Sequence, residues 1–328
     1  MYSGRDQFSP PSTGRGFLRA HWFADDGALW PLRTLPREGA LSALRAAGRA
    51  LMTPDEYCQR KAAQSGSSFY YSFLFLPPEQ RRAITALYAF CREVDDTVDE
   101  TSDPVVARAK LDWWRREIAA VFAGEPQHPV ARALQPIVRT RDLPQARFLE
   151  IIDGMQMDLD YNRYPDFATL EVYCYRVASV VGLMSAEIFG YRNKATLDYA
   201  RNLGLALQLT NIIRDVGEDA RRNRVYLPLD EMERFGVSVD DVILFRETEA
   251  LGRLLAHQIE RARGYYDKAW SLLPAEDRKA QRAGIVMGAI YERLLGELAT
   301  EGAHVINARV ALTPLRKLWI AWRTWVFA

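Results

Sequence analysis

Cysteine is scarce: of 328 residues only Cys58, Cys91 and Cys174 carry a thiol, far apart and with no CxxC pair. That excludes a disulfide framework and leaves three small apolar residues suited to a reducing compartment. Histidine is as sparse. His21, His128, His257 and His304 are scattered, so no zinc-ligand spacing runs through them. An excess of one charge is missing too, since 43 basic residues meet 42 acidic ones for a net charge of +1. No overall field draws the chain to nucleic acid. The apolar runs read as too short or too charge-broken to span a bilayer. Arg5, Arg15 and Arg19 are followed by no apolar segment of a secretory signal. A cytoplasmic protein is expected. Period-two alternation of Val, Ile and Thr is nearly absent, which argues against strands, and no fixed-period repeat points to a solenoid.

What is present is helix. Residues 1–51 are rich in Gly, Pro, Ser and Arg and read as a disordered extension without a catalytic part. Met52 then precedes Thr53-Pro54-Asp55-Glu56: an N-cap, a proline at the first helical position and two first-turn acids. Met52 is expected to be the natural start. Helices are predicted to start at Pro77-Pro78-Glu79 and run through Asp99, and to start at Asp103-Pro104 and run through Phe122, then over 129–140, 144–161, 167–190 and 194–220. Further ones follow at 229–235, 239–272, 275–302 and 304–326. With 48% hydrophobic residues, the pattern predicts one all-α domain over 52–328, a helical bundle around a central cavity.

Two acid-rich helical segments carry the chemistry. In Asp95-Asp96-Thr97-Val98-Asp99, the outer carboxylates are four residues apart, on one helix face. Tyr88 and Arg92 share that face, hemmed by Leu87, Phe90, Cys91, Val94 and Val98. A solvated surface would set charge opposite the apolar stripe rather than inside it. The second segment aligns Gln208, Asn211, Asp215 and Asp219 within an otherwise apolar stretch. Such rows repel unless a cation neutralises them, and hard oxygen ligands suit Mg²⁺ together with substrate phosphates. The plainer alternatives are a solvated face for the first row and a buried hydrogen-bond network for the second. Arg92 and Arg214 each lie three residues from a candidate ligand, and their planar fork matches phosphate oxygens. An ion pair with a neighbouring acid is the competing reading. Ala178, Ser179 and Gly182 allow either close helix contact or room for a long apolar ligand. At 315–327, three tryptophans at spacing three stand beside three cations. Peripheral contact of 315–328 with a membrane and a packed terminal helix both fit.

These segments, with Arg224-Val225-Tyr226-Leu227-Pro228 following, resemble the squalene/phytoene synthase family of head-to-head prenyltransferases. The likeness runs from about Met52 to the C-terminus. Within the family, Ser65 to Pro77 and Ala86 to Glu100 look closest to bacterial presqualene diphosphate synthases of the hopanoid pathway. The resemblance implies the isoprenoid-synthase bundle and two prenyl diphosphate substrates. It implies two or three Mg²⁺ ions, held by Asp95 and Asp99 on one side and by Asn211, Asp215 and Asp219 on the other. Asp96 joins them among the candidate catalytic residues. Ser68, Arg92, Arg214 and Arg309 match diphosphate-contacting positions, and Tyr88, Tyr173, Gln208 and Tyr291 match positions lining the reaction centre. Phe69, Phe73, Val177, Ala178, Val181 and Gly182 are the implied contacts to the prenyl chains. Ser67 stands where some relatives carry a lysine that touches diphosphate. No nucleotide-binding glycine motif is present, so NADPH use is not supported. The expected reaction joins two farnesyl diphosphates to presqualene diphosphate. Phytoene, dehydrosqualene or squalene formation is the nearest alternative, and a non-catalytic prenyl-lipid-binding subunit is the alternative of another class. That last reading predicts loss of a motif acid, and none is lost. Oligomeric state stays open.

Overall fold

The computed structural model describes residues 52–64 and 72–327. The expected extension over 1–51 falls outside them, as do Ser68 and Phe69. Among the described residues the fold is all-α, with an isolated bridge between Arg163 and Val225 as its sole β pairing. The chain runs through α1 (Pro54–Gln64), α2 (Pro78–Asp99), α3 (Pro104–Ala123), α4 (Pro129–Thr140) and α5 (Gln145–Asp160). Next come α6 (Phe167–Cys174), a π-turn (Tyr175–Ser179), α7 (Val180–Phe189), α8 (Ala195–Arg214) and α9 (Val216–Arg221). The last are α10 (Leu229–Phe235), α11 (Val239–Ile243), α12 (Glu249–Leu272), α13 (Arg282–Glu301) and α14 (Pro314–Phe327).

Local chemistry accounts for the ends. Thr53 and Glu56 exchange side-chain-to-backbone hydrogen bonds of 2.8 and 3.2 Å, a capping box that opens α1. Asp103 caps α3 by accepting from the Val105 N–H, and Gly124, at φ 98°, ends it in the left-handed conformation only glycine adopts freely.

α8 is the central element, and the chain is buried without interruption from Asn202 through its end to Gly217 of α9. On one side Thr210 meets the Tyr266 hydroxyl of α12 at 3.1 Å. On the other the π-turn and α7 come so close that a Cβ on Gly204 would lie 2.6 Å from the Ser179 Cα. A Cβ on Gly182 would likewise stand 2.6 Å from the Ala200 carbonyl oxygen. The small residues at 178–182 therefore serve close helix packing.

Several expected helices are broken, each for a local reason. The 167–190 stretch contains the π-turn, and the 194–220 stretch changes direction at Asp215 (φ −98°, ψ 9°). Over 239–272 the chain reaches positive φ at Phe245 and restarts where Thr248 caps Leu251 N. Near 275–281 Asp277 turns away to hold the α7–α8 connection, so α13 begins only at Arg282. Beyond it, a 3₁₀ turn (Gly302–Ile306) and an irregular stretch precede α14, which starts at Pro314. Phe167–Phe189 is also long and apolar enough to cross a membrane by length and composition, with mean hydropathy 1.3. That corrects the expectation that no stretch qualifies. Within the fold 56% of its apolar window is buried, and it serves as core.

Candidate active site

On α2, Asp99 reaches the segment that follows the second acidic row, while Arg92 and Asp95 pair with each other and Asp96 also turns to Lys61 of α1. The break at Asp215 does not scatter that second row. Asp215 N donates to Asn211 O and Asp219 N to Asp215 O, both at 2.8 Å, so the four-residue step continues into α9. Arg92, Asp95, Gln208, Asn211, Arg214, Asp215 and Asp219 are all buried, which rules out a solvated face for either row. Arg222 and Arg224, just past the second row, each reach Asp99 at 3.1 Å. These two ion pairs join the rows across the bundle.

The acids are neutralised in place. Arg92 bonds Asp95 at 3.0 Å and also Asp96, while Lys61 of α1 reaches Asp96 at 2.7 Å. Arg214 makes a bidentate pair with Asp215. Burial opposes the charge on Arg92, and the nearby Asp95 and Asp96 carboxylates more than restore it. Both arginines thus rest on neighbouring acids, the competing reading of the sequence. Removing such a charge from water is costly unless its partner geometry is good.

The donors fit a divalent cation in kind. Every candidate ligand is a hard oxygen, and the buried Asn211 Oδ1 accepts no hydrogen bond while its Nδ2 donates to Gln208 Oε1 at 3.3 Å. The Gln208 Nε2 is likewise buried without an acceptor. An amide oxygen held open beside Asp215 and Asp219 is what a cation or a substrate group would complete. Among the described residues no three His, Cys, Asp or Glu side chains already converge on one point, since the carboxylates are turned to arginine.

Apolar space adjoins this charge. A cavity of about 640 Å³ is lined by Gln59, Ala62, Phe73, Arg81, Thr85 and Tyr88. A narrower cleft of about 60 Å³ continues from Phe73 past Ala178, Val181, Gly182, Gly204 and Leu207. Small residues at 178–182 thus give both close packing and room. Val177 differs: it packs on Gly154 of α5, whose added Cβ would sit 2.6 Å from it. Tyr291 is buried on α13, near Tyr266. Arg309 is exposed in the stretch before α14, three residues after Ile306, whose carbonyl abuts Gly217 of α9.

Sequence reasoning missed a second layer. Asp158 of α5 accepts from the hydroxyls of Tyr173 (3.0 Å) and Tyr226 (2.7 Å), and Tyr226 stacks on Tyr164 and Tyr173. Burial, then the Asp158 charge, pushes the Tyr173 and Tyr226 phenols well above their ordinary pKa, so both stay protonated. Arg224 stands between this cluster and Asp99. The partners lie 15 and 68 residues from Asp158, beyond the reach of any helical period. The Arg224–Pro228 segment was the visible signal, without a role attached.

Residues 62–316 match the family model for squalene/phytoene synthase. The chain is 39% identical over 254 residues to presqualene diphosphate synthase of Rhodopseudomonas palustris, covering 77% of this chain and 91% of that protein. It is 36% identical over 282 residues to 15-cis-phytoene synthase of Synechocystis sp., covering 81% of this chain and 84% of that one. Its fold is similar to that of squalene synthase HpnC from Alicyclobacillus acidocaldarius, with TM-score 0.69 and 31% identity. That match covers 76% of this chain and 94% of the other.

Proposed function

The chain belongs to the squalene/phytoene synthase family of head-to-head prenyltransferases, and from that premise we propose that it joins two farnesyl diphosphates to presqualene diphosphate. One observation carries this reading: two largely buried acidic rows are tied together through Asp99, and Tyr88, one turn before Arg92 on the first row's helix, lines a mostly apolar cavity. Charge at one end and hydrocarbon at the other match a prenyl diphosphate.

Asp95, Asp99, Asn211, Asp215 and Asp219 would hold two or three Mg²⁺ ions, which when bound supply positive charge for the leaving diphosphate. Arg92 and Arg214, turned from their carboxylate partners, have the fork to take diphosphate oxygens. The allylic C–O bond breaks with its electron pair going to diphosphate. The cation left behind lies against Phe73, Tyr88 and Val181, walls that keep water out. The double bond of the second prenyl chain attacks it, and loss of one proton closes the cyclopropane. Tyr173 and Tyr226 direct their hydroxyl protons at Asp158, so neither is a free phenolate. We assign the final proton to the departed diphosphate.

A second reading has comparable support, because identity to a phytoene synthase, 36%, nearly equals that to a presqualene diphosphate synthase, 39%. It differs in chain length and in going further, since phytoene has also lost the second diphosphate, by ionisation and opening of the cyclopropyl intermediate and loss of a second proton. The test incubates the protein and Mg²⁺ with farnesyl or geranylgeranyl diphosphate, with and without NADPH, and weighs the products. Presqualene diphosphate from farnesyl diphosphate, unchanged by NADPH, is expected. Phytoene from geranylgeranyl diphosphate alone would transfer the assignment to the second reading, and squalene on adding NADPH would extend the reaction.

A further inference from the structure

The helix α14 is apolar on its outer side as well as its inner one. Leu315, Leu318, Trp319, Trp322, Val326 and Phe327 are exposed, with Phe327 78% and Trp322 54% accessible. Spacings of three, one, three and four put Leu315, Leu318, Trp319, Trp322 and Val326 on a single face, with Phe327 at the helix end beside it. The side turned to the protein carries Ala321, the buried Lys317, and Ile320 and Trp325, which pack against the core. An ordinary surface helix would keep its large apolar residues to that inner side alone. No other helix among the described residues exposes as many large apolar side chains.

The surroundings of this face are cationic. A groove of about 580 Å³ between α13 and α14 is lined by Arg278, Arg293, Arg316 and Arg323, beside Trp319 and Phe327, with no acidic residue in its wall. Among the described residues the acid paired with them is Glu297, bonding Arg293 at 3.1 Å and Arg316 at 2.9 Å. Arg323 lies over the Trp319 ring, 5.3 Å from its centroid. On its inner side Trp325 packs against Phe75 at 5.4 Å and under Arg282 at 5.8 Å. Phe73, two residues before Phe75, lines both cavities, and Ala283, next to Arg282, lines the narrow cleft. The helix therefore stands beside the apolar space that the reaction uses.

We propose that the outer face of α14 docks on an anionic phospholipid bilayer, its aromatic and aliphatic side chains among the acyl chains and its arginines among the headgroups. Large apolar side chains flanked by arginine suit an interface where one end is greasy and the other charged. A second copy of the chain fits less well. A two-fold interface sets the same patch against itself, and would bring four arginines onto four arginines with one glutamate each to offset them. A bilayer carrying phosphate supplies the missing negative charge. Docking there would also bring the cavity mouth to the phase in which prenyl chains dissolve.

The test is flotation of the full chain with phosphatidylcholine vesicles, with and without phosphatidylglycerol. Binding to the anionic vesicles is expected, weakened by salt and by Arg323→Glu. The double variant Trp319→Ser/Trp322→Ser should raise the lipid concentration for half-binding by about tenfold or more, with its circular dichroism unchanged. Quenching of tryptophan fluorescence by brominated lipid should appear in the parent and shrink in a Trp319→Phe/Trp322→Phe variant that keeps the apolar bulk. Equal flotation of parent and serine variant would overturn the proposal, as would no flotation of the parent. So would a concentration-dependent dimer, lost in the serine variant, without vesicle binding. None of these readouts involves turnover, so they stand or fall apart from the assigned reaction.

Discussion

The interior between α2 and α9 and the outer face of α14 break the same rule in opposite directions. One buries Asp95, Asp215, Asp219, Arg92 and Arg214, while the other exposes Trp319, Trp322 and Phe327. Water would favour exchanging them. Charge inside is costly even when paired, and a large exposed apolar patch is unusual on a lone soluble protein. Both departures make sense beside one kind of molecule, with an anionic head and a hydrocarbon tail. On the proposed reading the interior would take the head, the apolar cleft and cavity beside α7 and α8 would take the tail, and α14 would face a phase in which such tails dissolve.

The largest test of that contrast removes charge from the interior. Asp95→Asn and Asp215→Asn should each lower turnover at least about a thousandfold, because the leaving diphosphate loses its preorganised electrostatic partner. Asparagine is preferred to alanine at 215, since its amide oxygen keeps one acceptor for the buried Arg214 and its bulk leaves no cavity. Circular dichroism should stay native. Near-normal rates in either variant would show these acids to be structural.

Asp277 supplies the opposite kind of buried carboxylate. It accepts from Arg192 N (2.8 Å), Asn193 N (3.0 Å) and Thr196 Oγ1 (2.7 Å), closing the turn between α7 and α8. Burial alone would raise its pKa, but these hydrogen bonds outweigh it and hold the value down. A folded pKa below the unfolded one gives stability that is present above the unfolded carboxylate range and lost as pH falls through the folded value. Asp277→Asn should cost about 3 kcal/mol at neutral pH and flatten the acid limb of the stability curve, with turnover per folded molecule kept. Urea melts from neutral to acid pH measure both. A variant as stable as the parent would contradict the assignment.

Asp158 lies between these cases. It touches no candidate ligand but orients Tyr173 and Tyr226 behind Asp99. Asp158→Asn should cut turnover roughly ten- to hundredfold, the range for groups that position a metal site from behind. Activity restored by Asp158→Glu, with stability similar in both variants, would separate positioning from simple packing.

The two acidic rows were legible because a helical period is a local property: Asp95 to Asp99, and Asn211 through Asp215 to Asp219, can be counted along the chain. Caps such as Asp103 and Thr53 were legible for the same reason. Asp158 and Arg222 were not, since their partners come from distant segments. The breaks near Phe245 and Asp277 were hidden as well, because the apolar pattern runs across them while a turn or a long-range hydrogen bond interrupts the backbone. For α14 the period identified two faces but not which one looks inward. Tertiary contacts of Trp325 with Phe75 and Arg282 decide that.

The smallest expected effect is the sharpest check on α14. If its outer face meets only water in the isolated chain, Trp319→Ser/Trp322→Ser removes two side chains from residues already more than half exposed. Stability should then change by less than about 0.5 kcal/mol, as for other surface substitutions. Truncating a packed tryptophan would instead cost roughly 3–5 kcal/mol. The gap between those figures is wide enough for a single pair of urea melts to resolve. A small change, together with lost vesicle flotation, assigns the apolar face to an external partner. A large one means that some part of this chain already covers it, and the contrast between a charged interior and a greasy exterior loses its second half.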